Sequence, residues 1–560
     1  MSTFQNKEYL LQLEATKILE RLVEDPGLQI PKVVKKYASE VEFHSEAGLT
    51  KPYMPTPLKF TESSASLWGL IAAFTNALIV DRYGAEHEQK SKVSLDKSSL
   101  YLLCVILIQF NGKMLEDPSV RQRGEIYDKA DNFNNFYRTV ATNIYQTKDN
   151  KFFHLHGSMN ATKTLKMLGL PPKIDELQER EKAVQFLNNE VKNYDSEWLD
   201  VTANERYRQA GSVCYTAEEF ANTEQGRVLS KEPLYLLYKT HEQLPSVSWP
   251  EPTKGTGRPL EGIKVIDFSR VIAAPQISKI LANLGASVIR VSNNVEPDMA
   301  LLLFDSNLGK KDVSIDLKTS EGKEKLEELI LECDVFVDGY RPGVLAKLGF
   351  SQEYVQFLAK QRNKGIVFTR ENCYGFKGPW LHRSGWQQIA DAVTGAAYEQ
   401  GKFLGLNEPV QPLLPNSDLQ VALVAVIAIL NALYKRRSEG GSYNVDVSLC
   451  RFDTHLLELG LLPLEEQQRI KSDCHITSAG QEILSLRHHD DMFVLLFKVL
   501  TYLVTYHPSL FTPHNFSKIE SKWGEEGELM TYVKSPPEFS EVNLSYDRGS
   551  CPIGTYLPQF

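Results

Sequence analysis

Lys264-Val-Ile-Asp-Phe268 is a short, largely apolar run, and it predicts a buried β-strand. A regular alternation of predicted elements follows it. Further strands are predicted at residues 287–291, 334–337, 365–369 and 445–449, with helices at 276–284, 321–331 and 344–360. Because strands that alternate with helices form parallel sheets covered on both faces, this region predicts an α/β fold. We expect a Rossmann-like large domain with helices on both faces, plus smaller α+β regions elsewhere in the chain.

Basic residues follow the ends of these predicted strands or flank the turns beside them. They are Arg270, Arg290, Lys310, Lys311, Arg341 and Lys347. Ligands of open α/β sheets bind beyond the carboxyl ends of the strands, where arginine and lysine favour a phosphorylated ligand. Each of these residues taken alone is equally well explained as solvated surface charge. No G-x-G-x-x-G motif occurs in this region, so a standard NAD site is not expected.

The composition is that of an ordinary globular protein. The 560 residues carry a net charge of -9 and are 42% hydrophobic, enough for roughly three or four domain-sized units. This mildly acidic balance argues against a general nucleic-acid-binding protein. The seven cysteines are scattered without a C-x-x-C pair, which is typical of reduced intracellular thiols. Residues 1–10 lack the pattern of a signal peptide, so a cytoplasmic enzyme is expected.

The longest apolar stretches of the chain are residues 100–108 and 421–430. Both are shorter than the ~20 residues that a helix needs to span a bilayer. We interpret both as buried helices and expect no association with a membrane.

A pattern near the N-terminus recurs in the second half of the chain. An apolar helix is predicted at residues 66–78, followed by a polar turn and a strand at 92–96. A second apolar helix is predicted at 421–433, followed by a turn and the strand at 445–449. Both helices contain Asn-Ala-Leu and both strands contain Val-Ser-Leu. The shared order and spacing favour an internal duplication.

Asp418 precedes the second of these helices, and the equivalent position before the first is Ser63 or Ser64. An aspartate in this position is commonly an N-cap, whose oxygen accepts hydrogen bonds from the first turn. A helix N-terminus also favours the ionised carboxylate that a nucleophile requires. Because only one copy carries an acid here, we expect one active site rather than two.

Three further side chains have two interpretations each. His154 and His156 alternate along a predicted strand and share one face, but no third ligand lies at a useful spacing. A metal site is therefore not expected there. Trp386 is either a packing residue or one wall of a ligand pocket.

Several motifs of the chain resemble those of the class III (CaiB/BaiF-type) CoA-transferase family. They lie at residues 260–275, 284–290, 314–318 and 334–349 and at the helix that Asp418 begins. The resemblance runs in order from residue 258 to 455. A weaker likeness to the later part of the family, at residues 153–157, 168–171 and 210–220, indicates a partial copy fused before the fuller one.

The division into domains that this resemblance implies has five parts. They are a helical extension (1–50), a partial family copy (51–241), a linker rich in Pro, Ser, Gly and Thr (242–258), the large domain with Asp418 (259–455) and a short C-terminal closing segment (456–560).

The resemblance implies an acyl-CoA:carboxylate CoA-transferase in which Asp418 attacks the acyl-CoA thioester. An acyl-aspartyl anhydride and then an aspartyl-CoA thioester would form before the acceptor acid completes the exchange. The implied ligands are coenzyme A, bound as acyl-CoA, and a small carboxylic acid, without a metal or a nucleic acid. The implied CoA-binding residues are Val271, Arg290, Lys310, Gly339, Tyr340, Arg341, Lys347 and Trp386.

The family's interlocked dimers leave two arrangements open here. The chain either forms a homodimer or, with its partial copy, an intramolecular pseudo-dimer.

Two alternatives to transfer stay open at the level of sequence. The first is an acyl-CoA racemase, isomerase or lyase of the same family, although racemases carry histidine where this chain has Trp386. The second is a non-catalytic CoA-binding or interaction protein. Formyl-CoA transferases carry glutamine where Ile272 stands and asparagine where Gly339 stands, so oxalate and formate are not expected as substrates.

Overall fold

The computed structural model describes residues 8–130, 135–252 and 254–560. The first seven residues of the predicted helical extension therefore lie outside the described residues. The strands are β1 (Glu42–His44), β2 (Ser91–Ser94), β3 (Gln109–Phe110), β4 (Asn143–Gln146), β5 (Phe152–Leu155), β6 (Gly211–Val213), β7 (Leu236–Lys239), β8 (Lys264–Phe268), β9 (Ser287–Ser292), β10 (Lys310–Ser314), β11 (Val335–Asp338), β12 (Val367–Asn372), β13 (Tyr443–Ser448), β14 (Phe516–Glu520), β15 (Leu529–Val533) and β16 (Pro537–Phe539).

The α-helices of the first half are α1 (Leu11–Glu24), α2 (Lys32–Ala38), α3 (Phe60–Tyr83), α4 (Leu95–Tyr101), α5 (Pro118–Glu125), α6 (Phe136–Thr139), α7 (Thr162–Met167), α8 (Arg180–Val191), α9 (Ser196–Val201), α10 (Ala217–Asn222) and α11 (Glu224–Leu229). Those of the second half are α12 (Ala273–Asn283), α13 (Ala300–Ser306), α14 (Ser320–Glu332), α15 (Val344–Lys347), α16 (Gln352–Gln361), α17 (Gln387–Thr394), α18 (Ala396–Phe403), α19 (Asn416–Glu439), α20 (Leu449–Glu458), α21 (Leu464–Ile476), α22 (Ser478–Leu484) and α23 (Met492–Tyr506).

The largest sheet has seven strands in the order β10-β9-β8-β11-β12-β13-β7. Its first six strands are parallel, and β7 adds an antiparallel edge. Smaller sheets are formed by β1-β2-β16, β14-β15-β3 and β4-β5-β6. The predicted α/β fold is therefore confirmed, with a largely parallel sheet at its centre.

Alternation along the central strands puts two different sets of side chains on the two faces of the sheet. Val265 pairs across the sheet with Val288 and Val335, and this row belongs to the main core. The adjacent row contains Ile266 and Phe336, which belong to a separate core on the opposite face. Because successive residues of a strand point to opposite faces, both faces of the sheet are buried by helices. Helices α12 and α19 pack together on one face, and α14 packs against α16 on the other.

Two sheets of the folded chain join parts that the predicted division separates. Strand β7 precedes the predicted linker but pairs with β13 of the large sheet. Strand β16, from the predicted closing segment, pairs with β2. The linker contains no helix or strand among its described residues, yet it is docked, since Val247 donates its backbone N–H to the Arg436 carbonyl. The division into domains stays a prediction, and its parts are interleaved.

The recurring pattern of the sequence corresponds to a recurring order of elements. Helices α3 and α19 both have 24 residues and pack against each other. Each is followed by a strand, β2 or β13, that pairs with one parallel and one antiparallel neighbour. Ser94 and Ser448 end these strands and cap the next helices. The similar architecture is compatible with a duplication, which itself stays a prediction.

Helices α3 and α19 are long and apolar enough, by length and composition alone, to cross a membrane. In each of them 94% of the apolar window is buried inside the fold, as in the core helix of a globular protein. The predicted apolar stretch 421–430 is thus part of a longer buried helix. The stretch 100–108 is buried too, but it is mostly turns after α4 rather than a helix.

The observed elements differ from the sequence pattern at three places. The helix predicted at 344–360 is two helices, α15 and α16, because Gly349 has a φ of 103° and ends the first. Residues 492–497 are a short apolar run whose pattern is also compatible with a strand, but they begin helix α23, which Asp491 caps. Strand β10 was not predicted, because its first residues are Lys310 and Lys311 and resemble a polar turn.

Arg290 and Lys310, which the sequence assigned to the CoA site, lie instead inside the sheet region and are fully buried. Arg290 donates to Asp298 at 2.5 Å and to Asp312 at 2.6 Å, and the Lys310 ammonium lies 2.7 Å from Asp267. A cation with these partners and no exposed surface has no access to a ligand. Both assignments are therefore corrected. Arg290 on β9 and Lys310 on β10 neutralise buried carboxylates of the sheet region.

We expect Arg290→Met to destabilise the protein by about 3–5 kcal/mol, because Asp298 and Asp312 would be left buried without their cation. Urea unfolding measures this change. The matched control is Arg341→Met, since Arg341 is exposed, and its free energy of unfolding should change by less than about 0.5 kcal/mol. Equal stability of both variants would contradict the structural role of Arg290.

Candidate functional site

Asp418 lies in the first turn of α19, where its carboxyl has no hydrogen-bond or ion-pair partner among the described residues. The N-cap of α19 is Pro415, and no side chain caps the helix. The N-cap interpretation of Asp418 is therefore wrong. Burial, without a compensating donor, raises the pKa of Asp418 from 3.8 to about 7. The carboxyl is thus held in a costly environment, which is a common property of functional acids.

Two cavities meet at Asp418. The outer cleft has a volume of about 270 Å³ and the inner cavity about 330 Å³. Asp418, Val271, Ile272 and Trp386 line both of them. Asp418 is therefore the point at which a ligand in one cavity meets a ligand in the other.

The outer cleft lies beyond the carboxyl ends of four parallel strands, as the sequence predicted for the ligand site of this sheet. Its walls include the segments that follow β8 and β11, the end of β12 and the residue after β13. Those residues are Arg270, Val271, Ile272, Ala273, Gly339, Tyr340, Arg341, Glu371, Asn372, Cys373 and Leu449.

The turn between β8 and α12 has an unusual backbone. Val271 has a φ of 75°, a conformation that a β-branched residue adopts only at a cost of about 1–3 kcal/mol. This turn directs the N-terminus of α12, which begins at Ala273, into the outer cleft. The first N–H groups of a helix have no partner within the helix, so they are available to an anion or an oxyanion.

Gly339 allows the strand β11 to end in direct contact with this turn. A Cβ atom at Gly339 would lie 2.4 Å from Cβ of Ala274 and 2.8 Å from Cβ of Ser269. Any side chain here, including the asparagine of formyl-CoA transferases, would displace the start of α12. Gly339 therefore lines the cleft and also sets the position of the helix N-terminus.

Cations surround the entrance of the outer cleft. Arg341 lines the cleft and donates only to the backbone carbonyl of Arg208, at 3.2 Å. Arg270 lies over the ring of Tyr340, 5.3 Å from its centroid, and also lines the cleft. Lys347 does not line the cleft, but it is exposed at the end of α15, one helical turn from Val344, which does. The entrance is thus positively charged, as a phosphorylated ligand requires.

Trp386 forms the wall between the two cavities. Its ring stacks on His156 with the centroids 5.0 Å apart and the planes 4° from parallel, and its Nε1 donates to Ser158 at 3.3 Å. The second interpretation of this residue, as a pocket wall, fits this position. His154 and His156 both line the inner cavity, and burial lowers the pKa of His154 to about 4, so that its ring is neutral at pH 7.

Glu371 is a residue of the site that sequence reasoning missed. It lies on β12 beside Asp418, and its side chain has no hydrogen-bond or ion-pair partner among the described residues. Burial, together with the charge of Asp418, raises its pKa to about 8. The run Thr-Arg-Glu-Asn at the end of a predicted strand is the only signal that the sequence offers for it. Burial also raises the pKa values of Asp391 and Asp453, both near Asp418.

One group of metal-ligand side chains occurs among the described residues. Glu46, His514 and Glu538 have ligand atoms within 4.8 Å of one another. The ammonium of Lys97 already donates to Glu538. None of these three residues lines either cavity. Nothing connects this group to the Asp418 site.

Comparison with known proteins identifies the chain. The model of CoA-transferase family III matches residues 260–477. An acetyl-coenzyme A transferase (nodX) of Hypoxylon pulicicidum is 37% identical over 456 residues, which cover 80% of this chain and 76% of that protein. An acyl-CoA transferase of Gibberella moniliformis is 32% identical over 488 residues, which cover 83% and 84%. A crystal structure of a CAIB/BAIF family protein from Brucella suis aligns with a TM-score of 0.39 and 20% identity, over 53% of this chain and 96% of that one.

Both fungal relatives match well beyond the segment that the family model covers, so the likeness includes the first half of the chain. The chain belongs to CoA-transferase family III, and it is a CoA-transferase.

Proposed function

We propose that the protein transfers CoA between carboxylic acids and that Asp418 is its nucleophile. The observation that carries this proposal is the position of Asp418, an unpartnered carboxyl at the junction of a cleft and a cavity. A thioester has a CoA side and an acyl side, and its reacting carbonyl must lie between them. With CoA in the outer cleft and the acyl group in the inner cavity, that carbonyl meets Asp418.

The exchange proceeds in four balanced steps. The Asp418 carboxylate attacks the thioester carbonyl, the C–S bond breaks and the CoA thiolate leaves with the electron pair. The thiolate then attacks the aspartyl carbonyl of the anhydride, and the first acid leaves as its carboxylate. The acceptor carboxylate attacks the resulting aspartyl-CoA thioester and releases the thiolate again. In the last step the thiolate attacks the acceptor's carbonyl, which gives the new acyl-CoA and restores Asp418.

The residues of the outer cleft have distinct roles in this proposal. Arg270, Arg341 and Lys347 hold the phosphates of CoA, and Tyr340 with Val271 and Gly339 shapes the cleft between them. The N–H groups at the start of α12 stabilise the negative charge that develops on the carbonyl oxygen. Trp386 separates the CoA side from the acyl side and limits the access of water to the anhydride.

We assign to Glu371 the role of hydrogen-bond donor to the CoA thiolate. A carboxyl with a pKa of about 8 is protonated at pH 7, so it donates a hydrogen bond rather than repelling the thiolate. This donor stabilises the leaving group without transferring a proton in the net reaction. The racemase alternative lacks support of this kind, because burial lowers the pKa of both His154 and His156, which lie on the acyl side, and so makes each a weak base for removing a proton from Cα.

We infer that one chain builds the whole site as an intramolecular pseudo-dimer. The inner cavity is lined by Val105 and Ile144 of the first half, Ile272 of the second half and Met492 of α23, all in a single chain. We also infer a cytoplasmic location, since all seven cysteines are free and buried, as in a reducing compartment.

Trapping with hydroxylamine tests the nucleophile. In the presence of acyl-CoA, hydroxylamine should convert Asp418 to its hydroxamate, because the anhydride and the thioester both carry an activated aspartyl carbonyl that hydroxylamine attacks. Peptide mass spectrometry locates the modification. Asp418→Asn should lose at least about 1,000-fold in activity and all labelling at this peptide. The control Glu62→Gln, at a buried acid of α3 outside both cavities that accepts a hydrogen bond from Tyr9, should keep both, and full activity of Asp418→Asn would disprove the proposal.

The pH dependence of kcat/KM follows from the two raised pKa values. Asp418 must be deprotonated to attack, so the rate should rise as the pH increases through about 7. Glu371 must be protonated to donate, so the rate should fall above about 8. Glu371→Gln should lose only the fall on the alkaline side, because glutamine still donates. Glu62→Gln controls for another buried acid whose pKa is raised to about 7, and both sides of the pH profile should persist in it.

Complementation tests whether the site is formed within one chain. Asp418→Asn and Ile144→Arg should each be inactive, since one lacks the nucleophile and the other fills the inner cavity. A mixture of the two, unfolded and refolded together, should stay inactive if both residues act in the same chain. Recovery of about a quarter of wild-type activity would show instead that two chains share each site.

A further inference from the structure

We propose that the inner cavity selects a carboxylic acid with a bulky apolar body and rejects dicarboxylic acids. This inference rests on the proposed function, because it places the reacting acyl carbonyl next to the carboxylate of Asp418. The class of acid that it names is a branched, cyclic or medium-chain monocarboxylic acid.

Most of the surface that lines the inner cavity is apolar, although polar and charged side chains also reach it. The apolar walls are formed by aliphatic and aromatic side chains from four separate segments: Ile106, Ile144, Leu302, Met492, Val494 and Phe497. The cavity volume of about 330 Å³ falls within the range of pockets that enclose a whole small molecule. A one- or two-carbon acyl group would leave most of these walls without contact.

The charged side chains in the wall are already paired. Arg180 donates to Asp491 at 2.9 Å, and the same guanidinium donates to the His489 carbonyl at 3.1 Å. Arg138 donates to the Pro172 carbonyl and to Asn160, both at 2.8 Å. The guanidinium groups at the edge of the cavity are therefore already held by other partners, which an additional carboxylate would have to displace.

The remaining ionisable groups do not supply a cation either. Burial lowers the pKa of His154 to about 4 and that of His156 well below its usual range, so both rings are neutral at pH 7. His156 also accepts a hydrogen bond from the Ser158 N–H at 2.9 Å. Arg121 forms an ion pair with Glu125. Among the described lining residues, each arginine is thus already engaged, so the second carboxylate of a dicarboxylic acid would have to displace an existing partner.

Two physical effects then favour the same class of acid. Each methylene buried against apolar walls strengthens binding by about fourfold, so affinity rises with the size of an apolar acyl group until the cavity is full. A second carboxylate in the same place loses its hydration without a partner, which is strongly unfavourable. The discrimination comes from the wall, not from Asp418, which treats every carbonyl alike.

The test compares acyl-CoA donors of matched length. Release of the CoA thiol in the presence of hydroxylamine is followed for acetyl-, butyryl-, hexanoyl-, phenylacetyl-, succinyl- and adipyl-CoA, and labelling of Asp418 is measured for each. Hexanoyl-CoA and adipyl-CoA have the same number of acyl carbons, so they differ by the terminal carboxylate. We expect the kcat/KM of hexanoyl-CoA to be at least about tenfold higher than that of acetyl-CoA. It should be at least about 100-fold higher than that of adipyl-CoA.

Two wall variants strengthen the test. Val494→Lys supplies a cation in the apolar wall and should narrow the preference for hexanoyl-CoA over adipyl-CoA by at least about tenfold. Leu302→Ala removes apolar contact and enlarges the cavity, so it should lower the rate with hexanoyl-CoA and shift the optimum to a longer chain. Thermal unfolding checks that each variant is folded. If Val494→Lys does not fold, the chain-length preference of Leu302→Ala tests the apolar wall.

The outcomes separate the two proposals. Labelling of Asp418 with equal rates for acetyl-, hexanoyl- and adipyl-CoA would overturn the apolar selection and leave the nucleophile in place. A preference for succinyl- or adipyl-CoA would overturn it equally. Turnover without any label on Asp418 would overturn the proposed function, and the inference about the cavity with it.

Discussion

The structure depends on one constraint: a carboxyl group without a hydrogen-bond donor is kept at the start of a buried helix. Asp418 does not cap α19, and burial raises its pKa to about 7. An acid with this environment remains in place only because the helix behind it is fixed by packing, and α19 packs against both α12 and α3. The rigidity of the core therefore maintains the reactivity of the site.

Two halves of the chain contribute to that rigidity. Helix α3 comes from the first half and α12 from the second, and strands β7 and β16 each complete a sheet that belongs largely to the other part of the chain. The inner cavity lies between the same two parts, so its walls are set by the interleaving rather than by any single domain. In the proposed function, the walls that would contact the acyl group are therefore largely separate from the sheet that would bind CoA.

The sequence predicted the fold class and the position of Asp418 at the start of an apolar helix, because both depend on local patterns. Residues 264–268 form β8 exactly as predicted, and Asp418 lies where the apolar helix begins. It failed for Arg290 and Lys310, whose carboxylate partners Asp298, Asp312 and Asp267 become neighbours only when the strands pair. A cation at a strand end looks the same in sequence whether it meets a ligand or a buried acid.

Glu371 was missed for a related reason. Its raised pKa arises from burial and from the charge of Asp418, 47 residues later in the chain, and neither is visible in the run that contains it. The apolar character of the inner cavity is also a property of assembly, since its walls come from segments that are scattered from Ile106 to Phe497. Chemistry that depends on one residue type at one position was predictable, whereas chemistry that depends on distant neighbours was not.

An isotope experiment tests the central claim most directly. In the proposed reaction, the acceptor's carboxylate oxygen passes to Asp418 before it reaches the acid released in the next turnover. With an acceptor acid labelled with heavy oxygen, we predict that the Asp418 peptide gains the label during turnover. The contradicting result is a released acid that carries the label while the Asp418 peptide stays unlabelled. It would show that the acceptor attacks the thioester directly.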